Sequence, residues 1–94
     1  RMLHYETYVM PAPEENVELF LENLLIRNKK IVGATFCLGE EDAVFLIGAI
    51  PASTVEPSEL DRILGTLWTA VEQNFISLLK IGFAAKFVKS KKEN

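Results

Sequence analysis

Reactive side chains are scarce in this sequence. It contains one cysteine, Cys37, and one histidine, His4, among its 94 residues. A single cysteine excludes an internal disulfide and is compatible with a reducing cytosol. A zinc site ordinarily needs more His and Cys ligands than this chain contains. We therefore expect no metal and no cofactor, and we expect Cys37, inside an apolar run, to pack as a small hydrophobic residue.

An excess of basic charge is also missing. The chain has 10 Lys and Arg against 13 Asp and Glu, for a net charge of −3. A general nucleic-acid binder would normally carry a basic stripe, so this class is not expected. The lysines that crowd the C-terminus predict a solvated end; they are Lys86, Lys89, Lys91 and Lys92.

Long apolar runs are missing too. Charges or turns interrupt every apolar segment before the roughly 20 residues that a membrane span requires. No signal peptide is recognisable, so we expect a cytoplasmic protein. The first residue is Arg rather than Met, which we interpret as a trimmed chain whose native start lies upstream.

Catalytic motifs are absent from the sequence. Neither GxxxxGK[ST] nor GxGxxG occurs, and no serine has the context of a nucleophile elbow. The consecutive acids Glu40, Glu41 and Asp42 fit a solvated turn better than a calcium loop, whose ligands are spaced over about 12 residues. The sequence therefore predicts a protein that is not an enzyme.

Two uncharged apolar runs are the strongest positive signal. Ile31 to Leu38 and Ala43 to Ile50 contain no charged residue, and Gly39 to Asp42 separates them. This pattern predicts a β-hairpin that is apolar on both faces, with Gly39 supplying a positive φ in the turn. Both faces then need cover from helices, from a missing part of the fold or from another chain.

The remaining elements follow from hydrophobic periodicity. Residues 2–10 alternate and predict a strand, with His4, Glu6 and Tyr8 on one face. Residues 14–28 predict a helix, with Pro13 in its first turn and Asn28 as its C-cap. Pro57 begins a long second helix. Its apolar stripe comprises Leu60, Ile63, Leu64, Leu67, Trp68, Val71, Phe75, Leu78 and Leu79.

The order strand, helix, strand, strand, helix predicts an α+β fold. We expect a small antiparallel sheet with helices packed on one face, forming a single domain over residues 1–94. Three strands make a small sheet for an independent domain, and a chain of 94 residues buries little apolar surface on folding. We therefore expect the chain to oligomerise.

The chain has more apolar side chains than its predicted helices can cover, and this excess indicates a function. An apolar face left uncovered usually marks an interaction site, which predicts a protein or peptide client and a homodimer. Phe36, Phe45 and Trp68 are the candidate contact residues, because large apolar side chains serve as anchors. The alternative is a small-ligand-sensing regulatory domain with a pocket between helix and sheet.

Several segments resemble the bacterial YbjN family. They are VMPAPEEN (9–16), ENLLIRN (22–28), VGATFCL (32–38), VFLIGAIP (44–51), PSELDRILG (57–65) and NFISLLKIGF (74–83). The resemblance runs from about Tyr8 to Ala84. It implies the fold of type III secretion chaperones, in which a helix, three strands, a helix, two strands and a final helix follow one another.

On that resemblance, the chain would begin at the third strand of the fold. The opening helix and first two strands would be absent, either lost upstream or replaced by a partner's surface. The resemblance also implies dimers that bind extended or amphipathic segments of client proteins. The family is further described as a bacterial sensory-transduction regulator.

Overall fold

A three-stranded antiparallel sheet and two α-helices form the part of the chain, residues 1–86, that the computed structural model describes. The strands are β1 (Met2–Met10), β2 (Thr35–Leu38) and β3 (Val44–Pro51), and the helices are α1 (Val17–Asn28) and α2 (Pro57–Gly82). The strand order is β1-β3-β2, so β3 lies at the centre. The predicted α+β class is confirmed.

The predicted C-terminal tail can be compared with the structure only in part. Lys86 is exposed and forms an ion pair with Glu14, at 3.1 Å between Nζ and Oε2. Lys89, Lys91 and Lys92 lie outside the described residues.

One face of the sheet carries the hydrophobic core. Both helices pack on this face, α1 against β2 and α2 against β1. Among the described residues, the buried apolar side chains are Val9, Met10, Phe20, Leu24, Ala34, Phe36, Val44, Leu46, Ile63, Leu67, Ala70, Leu78 and Phe83. Since a fully buried large apolar side chain contributes roughly 1.5–3 kcal/mol, this single layer is the main source of stability.

Helix α1 begins three residues later than the sequence predicts. The backbone N–H groups of Glu14 and Glu15 both donate to the carbonyl of Gly82, at 2.8 and 3.0 Å. Asn16 then adopts a left-handed conformation with φ of 50° before the helix starts at Val17. The segment therefore caps the end of α2 instead of starting α1, because unpaired carbonyls at a helix C-terminus need donors.

Strand β2 is shorter than predicted. It begins at Thr35 rather than Ile31, because Gly33 has φ of +91° and turns the chain before the strand. The Tyr5 hydroxyl donates to the Gly33 carbonyl at 2.6 Å, so a side chain of β1 fixes the loop that leads into β2.

The hairpin turn differs from the prediction in its backbone. Gly39 has φ of −108°, and the positive φ values occur at Glu41 (55°) and Asp42 (59°). Gly39 has a steric role instead. A Cβ at this position would lie 2.4 Å from the Phe45 ring, so the absent side chain lets that ring lie against the turn.

Candidate protein-binding surfaces

The second face of the sheet has no cover within residues 1–86. Glu6 of β1 and Thr35 of β2 are both in register with Ile47 of β3, while Tyr8 and Cys37 are in register with Phe45. Since alternate residues of a strand share a face, these side chains lie together, opposite the helices. We call this surface the open face. It comprises His4, Glu6, Tyr8, Thr35, Cys37, Phe45, Ile47 and Ala49.

An aromatic pair forms the apolar centre of the open face. The Tyr8 and Phe45 rings pack edge to face, with centroids 5.6 Å apart and planes at 85°. Such a pair contributes about 0.5–1.5 kcal/mol beyond its burial. Tyr8 remains 55% exposed and Ile47 is also exposed, so the pair presents an apolar surface to solvent.

Carboxylates border this apolar centre. One depression is lined by Phe45 and Cys37 together with Glu6 and Glu40. The acidic turn Glu40–Asp42 adjoins it and is exposed. Such a site combines apolar contact with negative charge, which suits a side chain with an apolar stem and a cationic end.

The outer edge of β1 is a second unpartnered feature. No described strand pairs with this side of the nine-residue strand. A groove runs along it between Glu6, Thr7 and Tyr8 of β1 and Leu64, Leu67, Trp68 and Val71 of α2. We call the exposed residues Leu60, Leu64 and Trp68 the α2 stripe. A long strand edge beside apolar side chains is a template for pairing with another chain.

The opposite edge of the sheet is sealed by a side chain. The prediction of Asn28 as the C-cap of α1 is wrong, because Lys29 is the cap and Asn28 is the last residue of the helix. The carboxamide of Asn28 bonds to β2 instead. Its Oδ1 accepts the Phe36 N–H at 2.6 Å, and its Nδ2 donates to the Phe36 carbonyl at 3.2 Å. The amide thus pairs with β2 as a neighbouring strand would. The two edges of the sheet therefore differ in their availability to a partner.

The three predicted contact residues lie in different places. Phe45 lies on the open face, so its position agrees with the prediction that one face of the hairpin is left uncovered. Phe36 is only 4% exposed and packs in the core, so it is not accessible to a partner in this structure. Trp68 is 67% exposed on α2, beside the β1 edge. The structure therefore separates one candidate site into two surfaces and leaves Phe36 in neither.

The prediction missed Tyr8 and Ile47 as contact candidates. The alternation of residues 2–10 already placed Tyr8 on the same face as His4 and Glu6. That signal could have identified Tyr8 as an exposed aromatic residue. Ile47 could not be assigned to a face, since its strand is apolar on both sides.

The exposure of Trp68 predicts a small effect of its removal on stability. We expect Trp68→Ala to change the free energy of unfolding by less than about 1 kcal/mol, because surface substitutions rarely cost more. Urea denaturation would measure this change. Leu67→Ala, at the buried neighbouring position, is the control and should cost about 2–5 kcal/mol. A Trp68→Ala cost as large as that of Leu67→Ala would contradict the exposed position.

Two groups of polar side chains on the helices are hydrogen-bonded to one another. Between α1 and α2, Arg27 donates to Asn74 Oδ1 at 3.0 Å and to Ser77 Oγ at 2.6 Å. Partial burial lowers the pKa of Arg27 from its usual value. On α2, a hydrogen bond from Arg62 to Glu59 lowers the pKa of the Glu59 carboxyl. These contacts join the two helices or successive turns of α2.

No helix within residues 1–86 combines the length and the apolar content needed to cross a membrane.

Comparison with known proteins identifies mycobacterial relatives. The uncharacterized protein ML2442 of Mycobacterium leprae is 33% identical over 87 residues, which is 93% of this chain and 47% of that protein. The uncharacterized proteins Mb0497 of Mycobacterium bovis and Rv0487 of Mycobacterium tuberculosis are each 35% identical over 78 residues, or 83% of this chain and 43% of those proteins. The chain thus spans about half the length of these relatives.

No protein-family model and no solved structure matches the sequence. The resemblance to the YbjN family therefore stays a prediction.

Proposed function

We propose that this chain is a non-enzymatic, cytoplasmic protein-binding module of the YbjN type, which holds a segment of a client protein on its open face. The observation that supports this function is the apolar centre of that face, where Tyr8, Phe45 and Ile47 have no covering element among the described residues. Exposed contiguous apolar patches usually mark interaction sites.

The charges around the patch favour one kind of client segment. Glu6 and Glu40 border the depression beside Phe45, and the chain carries a net charge of −3. An extended or amphipathic segment with apolar residues and lysine or arginine between them satisfies both features. Its apolar side chains contact the aromatic pair, and its cations lie near the carboxylates.

A peptide-binding measurement tests this function. We expect a labelled peptide of alternating valine and lysine to bind the protein, and a valine–glutamate peptide to bind at least about tenfold more weakly because like charges repel. Ile47→Lys should abolish binding of the valine–lysine peptide while leaving the melting temperature unchanged, since Ile47 is already exposed. Fluorescence anisotropy and thermal denaturation measure the two properties.

Leu25→Lys is the matched control, because Leu25 is an exposed apolar residue on α1, away from the open face. It should bind the peptide as the unsubstituted protein does. Equal loss of binding in both variants would contradict a site on the open face.

A small-ligand-sensing domain is the second candidate. A depression on the sheet is lined by polar as well as apolar residues, including His4, Glu6, Thr35 and Ile47. A metabolite that raises the melting temperature would favour this candidate over the first, if the protein also binds neither the valine–lysine nor the valine–glutamate peptide.

A further inference from the structure

We infer that a cleft between α2 and the loop that precedes β2 binds a small sugar phosphate, with the phosphate group held by two cationic side chains. We call it the cationic cleft. Its polar and charged lining, with one apolar neighbour, comprises Lys30, Ile31, Arg62, Thr66, Thr69 and Gln73. Its volume is about 460 Å³, within the range of roughly 300–1,000 Å³ that is usual for ligand sites. The inference is independent of the proposed client-binding role, because no residue of the open face lines this cleft.

The cleft arises because α1 is much shorter than α2. The end of α1 reaches α2 at Asn74, through the side chain of Arg27, so the earlier turns of α2 face the loop instead. The side chains that recur at helical spacing on this side of α2 are Arg62, Thr66, Thr69 and Gln73. The loop closes on the helix at one end of the cleft, since a Cβ at Gly33 would lie 3.8 Å from Thr66 Cγ2.

The charges of the cleft are opposite in sign to the net charge of the chain, which is −3. Glu6 lines three other depressions of the structure. In contrast, no carboxylate of residues 1–86 lines the cationic cleft, and Lys30 of the loop and Arg62 of α2 line it from opposite walls. Lys30 is exposed and forms no ion pair with any described residue. Its ammonium group is therefore available to an anion.

Glu59 orients the Arg62 guanidinium and leaves part of it free. Arg62 donates from Nε and Nη2 to Glu59 Oε1, one helical turn earlier. The N–H groups on Nη1 have no partner within residues 1–86, and Glu59 itself does not line the cleft. The planar guanidinium is thus held by one edge, and the remaining N–H groups can bind a phosphate oxygen.

The lining favours a phosphate group on a hydroxylated body. A phosphate monoester carries about −1.5 to −2 charges and three acceptor oxygens at neutral pH, which suits two cations beside threonine hydroxyls. The hydroxyl groups of a sugar can bond to Thr69 and Gln73, while its C–H groups contact Ile31. No aromatic side chain of the described residues lines the cleft, so a nucleotide base would have no ring to stack on. A sugar phosphate therefore fits better than a nucleotide.

The loop that carries Lys30 is fixed before any ligand binds. The Lys30 N–H donates to the Arg27 carbonyl at 3.0 Å, and the Tyr5 hydroxyl donates to the Gly33 carbonyl at 2.6 Å. These hydrogen bonds anchor both ends of the loop. Little conformational entropy is then lost on binding, which favours affinity.

An NMR titration of the isotope-labelled protein with ribose-5-phosphate tests the inference. We expect the amide signals of residues 30–32 and 62–73 to shift. Ribose without phosphate should shift none of them, and inorganic phosphate should shift those nearest Lys30 and Arg62 with weaker affinity. Adenosine monophosphate should bind no more tightly than ribose-5-phosphate. All titrations use the same ionic strength, because salt screens exposed charges.

Substitution of the two cations tests their roles. Lys30→Gln and Arg62→Gln should each weaken ribose-5-phosphate binding about tenfold, because each removes a charge-assisted hydrogen bond. Lys30→Arg should retain binding, since it keeps the cation. Lys29→Gln is the matched control, because it removes the same charge from an exposed neighbour that does not line the cleft. It should bind as the unsubstituted protein does.

A substitution that fills the cleft separates loss of binding from loss of folding. Gly65 also lines the cleft, and a Cβ there has no neighbour within 4 Å. Gly65→Leu should abolish ribose-5-phosphate binding and raise the melting temperature, because leucine is a better helix former than glycine. A variant that lost binding by unfolding would show a lower melting temperature instead.

Several results would overturn the inference. Equal losses in Lys29→Gln and Lys30→Gln would show a nonspecific effect of charge, and ribose binding as tightly as its phosphate would exclude a phosphate site. Signals that shift only on the open face, or no shift at millimolar ribose-5-phosphate and inorganic phosphate, would also contradict it. Ile47→Lys should leave phosphate binding unchanged. A protein that binds ribose-5-phosphate but no peptide would contradict the proposed function and leave this inference standing.

Discussion

Replacing Phe20 by alanine should lower the free energy of unfolding by about 3–5 kcal/mol, the usual cost of removing a buried aromatic side chain. Phe20 is fully buried on α1. Its ring lies where the loop before α1 meets the end of α2, so close that a Cβ at Gly82 would lie 2.9 Å from it. The free energy of unfolding of a small domain is only roughly 5–15 kcal/mol, so this one substitution would remove a large share of the stability.

Urea denaturation followed by circular dichroism measures the Phe20→Ala effect. Leu19→Ala provides the control on the same helix, because Leu19 is half exposed and should change the stability by no more than about 0.5 kcal/mol. Similar costs for the two substitutions would show that Phe20 does not fill the space between the helices.

Substituting Gly48 by alanine should cost about 1–3 kcal/mol, because it overpacks the sheet. Gly48 of β3 is in register with Tyr5 of β1. A Cβ at Gly48 would lie 2.4–2.6 Å from atoms of the Tyr5 ring and hydroxyl. That ring cannot move away without losing its hydrogen bond to Gly33. Glycine is therefore required here by the neighbouring side chain, although it is otherwise unfavourable in a strand.

A double-mutant cycle tests this cause. In a Tyr5→Ala background the clash is gone, and Gly48→Ala should then stabilise the protein by about 0.5–1 kcal/mol, the ordinary advantage of alanine over glycine in a strand. Gly65→Ala is the matched control, since a Cβ there has no neighbour within 4 Å. It should be stabilising in both backgrounds. An equal effect of Gly48→Ala in both backgrounds would contradict the assigned contact.

Periodicity predicted the elements that have one clear apolar face. The bounds of β1 and the start of α2 at Pro57 agree with the prediction, because alternation and proline are local signals. The start of α1 does not agree. There the N–H groups of Glu14 and Glu15 are used to cap α2, and nothing local in the sequence indicates a partner so distant along the chain.

The candidate contact residues were harder to place. The hairpin is apolar on both faces, so its sequence does not tell which of Phe36 and Phe45 is buried. The helices settle this by covering the face that holds Phe36. Similarly, the apolar residues of α2 cover more of the helix surface than the sheet can bury. Packing against β1 leaves Leu64 and Trp68 outside the core.

The capping of α2 has a consequence for how the protein acquires its fold. The Gly82 carbonyl accepts from Glu14 and Glu15, and the Asn16 side chain donates to the Ile81 carbonyl, across a separation of 65 residues. A growing chain cannot form these bonds until nearly all of the described sequence has left the ribosome. Because contacts between distant residues slow folding, we expect the native state to form in one cooperative step once α2 is complete, and not helix by helix as each element is synthesised.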